Sequence, residues 1–184
     1  MPTTDLEENK IKQAQPEEGN DTAQNEREIR KNIFKNERVN FILGVILVIF
    51  SLYLTISFIS FFFTGSIDQS KVENLSVGEL SSIGNEIQNW TGAFGAYLSN
   101  LMINRWMGIS AFIVSLWLYV VGRRFMKVAH TRMIRFTISC ALSIIVLSLF
   151  FGFIFMHSYN NTFLYLGGYH GYYATLWLNA WIGP

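Results

Sequence analysis

The sequence contains few of the residues that form disulfides, metal sites or catalytic centres. Its one cysteine, Cys140, excludes an intramolecular disulfide and lies in an apolar run, where a small packing residue is expected. His157 and His170 have no carboxylates or thiols at ligand spacing, so they fit polar groups at a membrane interface better than a metal site. No G-x-x-x-x-G-K-[ST] phosphate loop is present. These absences predict no enzymatic activity and no cofactor for these 184 residues.

Proline and net charge are also scarce. The three prolines lie outside the apolar runs, which leaves those runs free to form regular helices. The formal net charge is +1, so no global electrostatic field favours nucleic acid or acidic partners.

One long stretch lacks charge altogether. Phe41 to Phe63 is 23 residues without Asp, Glu, Lys or Arg. As a helix it is about 34 Å long, enough to cross a hydrocarbon core of about 30 Å. Some forty polar residues precede it, which is unlike a secretory signal peptide. The stretch predicts an uncleaved membrane span.

Two further apolar blocks predict spans over residues 102–121 and 134–156, giving an all-α, polytopic membrane protein with three transmembrane helices and interfacial helices. Arg105 and Arg135 lie near span ends, where long side chains can snorkel to the headgroups. The alternative for Arg105 is an ion path. No span contains Asp or Glu, which argues against a proton-coupled transporter.

The remaining segments complete the domain organisation. Residues 1–38 form a polar head, mostly disordered, with a juxtamembrane helix, and residues 39–184 form the membrane domain. The basic groups of that helix fit either contact with anionic lipid or simple positive-inside bias. Residues 64–91 are predicted to be a mildly acidic outer loop, and residues 163–184 an outer aromatic segment.

The distribution of lysine and arginine predicts the orientation. Five basic residues precede the first span, and Arg123 and Arg124 begin a basic loop between the second and third spans. The basic side is expected to be cytoplasmic, which places the N-terminus inside. Trp177 and Trp181, in a helix expected over 171–182, are predicted to lie at the opposite interface.

Small residues recur at helical spacing in two spans. In the second span, one helical face carries Gly108, Ala111, Ser115 and Gly122. The third span has two pairs of small residues four apart: Ser139 with Ser143, and Ser148 with Gly152. Such residues permit close helix packing in lipid. The alternative is chance in serine-rich helices.

Two glycine-rich stretches carry a resemblance. The first reads N-W-T-G-A-F-G-A-Y-L-S, with Gly92 and Gly95, and is followed by Met107-Gly108. The second reads L-G-G-Y-H-G-Y, with Gly167, Gly168 and Gly171. Together with the polar head and the first span, they resemble the N-terminal membrane domain of FtsK/SpoIIIE DNA translocases, from about Val39 onward. Thr91 stands where that pattern has its first glycine.

The resemblance implies a four-helix domain in the bacterial inner membrane at the division septum. The three spans predicted here are one fewer than the resemblance implies. It also implies a homo-oligomer, contacts with other division proteins, and a motor that uses ATP and Mg and holds DNA. None of these motor parts lies in the 184 residues. The partners expected for this chain are therefore lipid and other proteins.

Two functions follow as hypotheses. The first is a membrane anchor and assembly domain of a septal DNA translocase, in which glycines at 92–96 and 167–171 turn the chain and admit close helix contact. The second is a small membrane subunit of a transporter, or a membrane regulatory protein. Arg105→Gln should abolish the second function and leave the first nearly unchanged.

Overall fold

The computed structural model describes residues 36–73, 77–80, 82–128, 132–156 and 163–183. These residues form helices and turns without a strand, which confirms the all-α prediction. The chain divides into two compact units, Met1–Phe41 and Ile42–Pro184. Of the first unit only residues 36–41 are described, and they begin a helix. The rest of the polar head, with most of its expected juxtamembrane helix, lies outside the described residues.

The first helix, α1, spans Glu37–Val72 and is 36 residues long, or about 54 Å. It continues nine residues beyond the predicted end at Phe63. The reason is packing, because Thr64, Asp68 and Val72 are all buried at a four-residue spacing that places them on one face. The region predicted to be an outer loop therefore begins as helix.

Short 3₁₀ turns at Val77–Glu79 and Gly84–Glu86 follow α1. The later elements are α2 (Gly92–Ser99), a π-helical segment (Asn100–Met107), a 3₁₀ turn (Gly108–Ser110), α3 (Ala111–Phe125), α4 (Met133–Ile154) and α5 (Gly168–Ile182). Within the described residues, three helical runs are long and apolar enough to cross a membrane: Glu37–Val72, Gly92–Phe125 and Met133–Ile154.

The helix α3 runs antiparallel to α1. The Phe112 ring packs on Phe58 with 5.4 Å between ring centroids. One turn later the Ser115 carbonyl accepts a hydrogen bond from Ser51 at 2.7 Å. Thus, as the residue number increases along α3, the number of the residue it contacts on α1 decreases, as expected for antiparallel helices. The end of this bundle where α1 terminates is called the Val72 end below, and the other is the Gly122 end.

The segment before Gly108 runs in the opposite direction, parallel to α1. Ser57 of α1 contacts both Gly95 and Ser99 of α2, at 2.7 Å each. Farther along, Arg105 reaches the carbonyl of Glu73, just past the end of α1. A straight helix would place Ser99 and Ser115 about 24 Å apart along its axis. Both contact α1 within a seven-residue stretch, Ser51 to Ser57, so the helical run must reverse between them.

The reversal occurs at Gly108, which has φ 67°. The amide of Ile109 leaves the helical pattern and donates to the carbonyl of Leu166 at 2.8 Å. The predicted span over 102–121 lies inside the helical run Gly92–Phe125 but includes the break at Gly108, so its first residues belong to a separate arm. The part of this run after the break, Gly108–Phe125, is 18 residues or about 27 Å long.

Before α2 the chain returns along α1, without helical structure at residues 87–89. The Glu86 carbonyl accepts from Lys71, the Gln88 amide donates to Asp68, and the Trp90 amide donates to Ser60. Residues 86–91 thus run toward the Gly122 end, and Gly92–Met107 runs back. We call residues 86–107 the re-entrant hairpin. Its tip, near Trp90, lies level with the first turn of α3.

Candidate helix-packing site

The tip of the re-entrant hairpin is formed by glycine and held by serine. Gly92 has φ 77° and open space around its Cα, so its contribution is the turn itself. Gly95, one turn later, lies against α1: a Cβ there would come within 2.8 Å of the Ser57 hydroxyl. That hydroxyl bonds the Gly95 carbonyl and the Ser99 hydroxyl. A larger residue than Gly95 would displace this polar contact.

Polar groups of α1 satisfy the backbone of the returning segment. Ser60 accepts from the Trp90 amide at 3.0 Å, and Tyr53 donates to the Thr91 carbonyl at 3.0 Å. Asn89 donates to the Ser57 carbonyl and accepts from the Thr91 amide. Extended backbone is tolerated at membrane depth only where protein groups replace water. These bonds meet that requirement.

Gly108 packs against the chain that precedes α5. A Cβ at Gly108 would lie 2.6 Å from the Gly167 carbonyl carbon. A Cβ at Gly168, whose φ is 66°, would lie 2.6 Å from the Gly108 nitrogen. Both positions need left-handed backbone and admit no side chain. The break in the helical run is thus locked by direct backbone contact with Leu166–Gly168.

The same turn also packs against α4. A Cβ at Gly167 would lie 2.5 Å from the Gly152 nitrogen, and one at Gly171 would lie 3.0 Å from the Ser148 hydroxyl. Ser148 donates to the Gly167 carbonyl at 2.6 Å. Small residues four apart on both segments let the backbones touch, as in lipid-embedded helix pairs. We call this set the glycine junction: Gly108, Ser148, Gly152, Gly167, Gly168 and Gly171.

Ser115 and its helical face pack on α1. Ser115 is 3% exposed and accepts from Thr55 at 3.2 Å in addition to its carbonyl contact. Two turns later a Cβ at Gly122 would lie 2.7 Å from the Gly44 carbonyl. The expected small-residue face is therefore where α3 meets α1, although Gly108 lies at the break rather than on that face.

Ser139 and Ser143 are exposed on α4 in the isolated chain. Cys140, next to Ser139, is 8% exposed. The structure therefore separates the two predicted serine pairs of the third span: Ser148 and Gly152 enter the glycine junction, and Ser139 and Ser143 face outward. A packing role for the outward pair stays a prediction.

The predicted interfacial residues are placed at both ends of the bundle. Arg105 lies near the Val72 end and donates to the Glu73 carbonyl at 2.6 Å, a contact within the protein. Arg123 lies 5.6 Å from the Tyr119 ring centroid in the last turn of α3, and Arg124 is exposed beside it.

Trp177 and Trp181 are 61% and 76% exposed on α5, with ring centroids 5.8 Å apart. The helix begins at Gly168, three residues before the expected start at Gly171. Exposed, adjacent indoles suit a lipid–water boundary. Their position in a bilayer stays a prediction.

A family model described as the 4TM region of DNA translocase FtsK/SpoIIIE matches residues 36–184. The match covers most of the chain. This chain belongs to the FtsK/SpoIIIE 4TM family. Comparisons with curated proteins and with solved structures gave no match. The region is a membrane domain rather than a motor.

Membership in the FtsK/SpoIIIE family agrees with the resemblance carried by the two glycine-rich stretches. The structure brings parts of these stretches together, because Gly108 follows the first and contacts Gly168 of the second. Three helical runs of this FtsK/SpoIIIE membrane region satisfy the length and composition of a span, among the residues described. The helix that follows these three runs, α5, has 15 residues and is about 22 Å long.

Sequence reasoning missed two buried polar residues. Asp68 is fully buried, accepts from the Gln88 amide at 2.9 Å, and has an Oδ2 atom without a partner among the described residues. Asn104 is 1% exposed and bonds both the Phe163 carbonyl and the Tyr165 amide at 3.1 Å. The sequence signal that could have identified Asn104 as a buried polar residue was the position of its amide side chain within an apolar block. Asp68 had no such signal, because it lay in a stretch expected to be solvated.

Proposed function

We propose that this chain is the membrane anchor and assembly region of a septal DNA translocase of the FtsK type, acting in cell division and chromosome segregation. The observation that carries the proposal is the family match over residues 36–184. ATP, Mg and DNA would belong to the motor, which these residues do not contain. Here the partners would be lipid, further copies of the chain and other division proteins.

The charge at the two bundle ends supports a cytoplasmic N-terminus in the bacterial inner membrane. At the Gly122 end, the end of α3 and the start of α4 carry four basic residues: Arg123, Arg124, Arg132 and Arg135. At the Val72 end, Lys71 and Arg105 are offset by Glu73, Glu79 and Glu86. Excess lysine and arginine near span ends favours the cytoplasmic side.

Close backbone contacts support the assembly role. Gly95 and Gly108 both lie where a side chain would meet another segment, so Gly95→Leu and Gly108→Leu are expected to weaken bundle packing. The measurements are cross-linking and native mass spectrometry of the purified protein in detergent. Oligomer counts unchanged in both variants would contradict the role of these glycines in assembly.

Septal action is tested by microscopy of dividing bacteria that express the chain with a fluorescent protein at its N-terminus. The expected result is enrichment at the division site. Arg105→Gln is expected to leave that enrichment unchanged, because an anchor does not need an ion path. Uniform fluorescence around the whole envelope, with the protein intact on a gel, would overturn the septal role.

A further inference from the structure

An apolar cleft of about 450 Å³ lies between α4, the start of α5 and the end of the π-helical segment. Five of its lining residues are apolar: Met107, Ile144, Ile145, Leu149 and Ala174. The two polar lining residues are Ser148 and His170. The Ser148 hydroxyl already bonds the Gly167 carbonyl, so it offers no strong attraction to water. The cleft volume is within the usual range for small-ligand sites.

The cleft is reached from the lipid rather than from water. Ile145 lines it and is 56% exposed on α4, one of the helices that can cross a membrane. In a bilayer, the groups next to an exposed isoleucine on such a helix are lipid acyl chains. An apolar cleft open on that side admits a hydrocarbon chain at no desolvation cost to polar groups.

Charged and polar groups lie within two positions in sequence of the lining residues Met107 and His170. Arg105 precedes the lining residue Met107 by two positions, and its guanidinium bonds the Glu73 carbonyl. Tyr169 precedes the lining residue His170, and both Arg105 and Glu73 act electrostatically on its phenol. Burial is the largest cause that raises the pKa of Tyr169, so this phenol is a neutral hydrogen-bonding group at neutral pH. Arg105, Glu73 and the Tyr169 phenol therefore form one polar cluster, adjacent in sequence to residues that line the cleft.

We propose that the cleft binds one zwitterionic phospholipid, with an acyl chain between α4 and α5, its phosphate near Arg105 and its ammonium near Glu73. The pairing of one cation with one anion selects this class. An anionic headgroup would find the same Arg105 but would be repelled by Glu73. A zwitterionic headgroup complements both charges, and His170 lies close enough to the cleft to bond the ester region.

The test is lipid binding by the delipidated full chain in detergent, measured by native mass spectrometry with phosphatidylethanolamine and, separately, phosphatidylglycerol. The expected result is one bound phosphatidylethanolamine, with phosphatidylglycerol weaker by about five-fold or more. Ala174→Phe fills the cleft and should reduce phosphatidylethanolamine binding about ten-fold. Ala141→Phe is the matched control, because Ala141 is exposed on α4 and does not line the cleft.

Glu73→Gln tests the headgroup without altering the cleft walls. It should bring the affinities for the two lipids together while binding of one lipid persists. Three results would each overturn the proposal: no one-to-one lipid adduct in the wild type, a wild-type preference for phosphatidylglycerol, or equal loss in Ala174→Phe and Ala141→Phe. If Ala174→Phe does not fold, an unchanged lipid preference in Glu73→Gln would also refute it.

Discussion

At the scale of single residues, four glycines differ in whether backbone conformation, steric contact, both or neither would oppose a side chain. Gly84 has an unremarkable backbone and open surroundings, whereas Gly92 has φ 77° with open surroundings. Gly152 is helical, but a Cβ would lie 2.5 Å from the Gly171 carbonyl carbon. Gly108 combines φ 67° with backbone contact. Backbone strain and steric exclusion can therefore be measured separately.

Substitution of each of these four glycines by alanine should lower stability in a defined order. Gly84→Ala is expected to be nearly neutral, and Gly92→Ala to cost about 1 to 2 kcal/mol for the left-handed backbone. Gly152→Ala should cost about 1 to 3 kcal/mol for overpacking, and Gly108→Ala roughly the two costs together. The measurement is reversible unfolding in mixed detergent micelles. A Gly108→Ala variant as stable as Gly84→Ala would contradict the backbone contact at the glycine junction.

Asp68 shows how one buried carboxyl can fix a returning segment. Its Oδ1 atom accepts the Gln88 amide, and its Oδ2 atom has no partner among the described residues. Asp68→Asn keeps the accepting oxygen and removes a buried acidic group, so we expect a change within about 1 kcal/mol. Asp68→Leu removes the acceptor and should cost about 1 to 3 kcal/mol. Urea unfolding in micelles distinguishes them; equal losses would mean that the Gln88 contact contributes nothing.

At the scale of elements, the returning arm of the re-entrant hairpin depends on side chains of α1 as well as on its own turn at Asn89. Non-helical backbone at residues 87–91 would be poorly solvated at the level of α3 without Ser60 and its neighbours. The hairpin therefore forms only if α1 is already helical beyond Phe63, so that Asp68 and Lys71 point at the returning chain.

The hydrogen bond from Trp90 to Ser60 gives a local readout of the hairpin. Ser60→Ala should speed amide exchange in peptides covering residues 86–92 about ten-fold, because the Trp90 amide loses its acceptor. Hydrogen–deuterium exchange with mass spectrometry measures this, and Ser66→Ala, at an exposed position of the same helix, is the control. Faster exchange throughout α4 as well would indicate global loosening rather than release of the hairpin.

At the scale of the whole molecule, the distribution of charge predicts the orientation in the membrane. A Cys140→Ala background gives a chain without cysteine, into which one reporter is placed at each bundle end. Asn85 and Val128 are both exposed and lie near the Val72 end and the Gly122 end, respectively. An impermeant maleimide added to intact cells should label Asn85→Cys, and should label Val128→Cys only after the membrane is opened. The reverse pattern would place the N-terminus outside.

Hydropathy predicted the first and third crossing helices well, because insertion free energy accumulates along the local sequence. The second predicted span lies inside the helical run Gly92–Phe125, but it did not anticipate the reversal at Gly108, since local hydropathy does not record where a helix reverses. The sequence predicted Gly108 to be one member of a small-residue face. Its positive φ is seen only in the folded chain, where the Ile109 amide donates a hydrogen bond to the Leu166 carbonyl. The glycine motifs were visible in the sequence, but their contact with each other was not.

The order of the amino acids was enough to identify the class of protein, through helices apolar enough to span a membrane, basic segments that predict an orientation, and glycine patterns typical of one family. These properties depend on composition and spacing within short windows. The tertiary structure alone decided that residues 86–107 fold back along α1, that Gly108 abuts Gly168, and that a cleft remains beside Ala174. Those features arise where segments distant in sequence bring their backbones together, and such contact is a property of the folded chain.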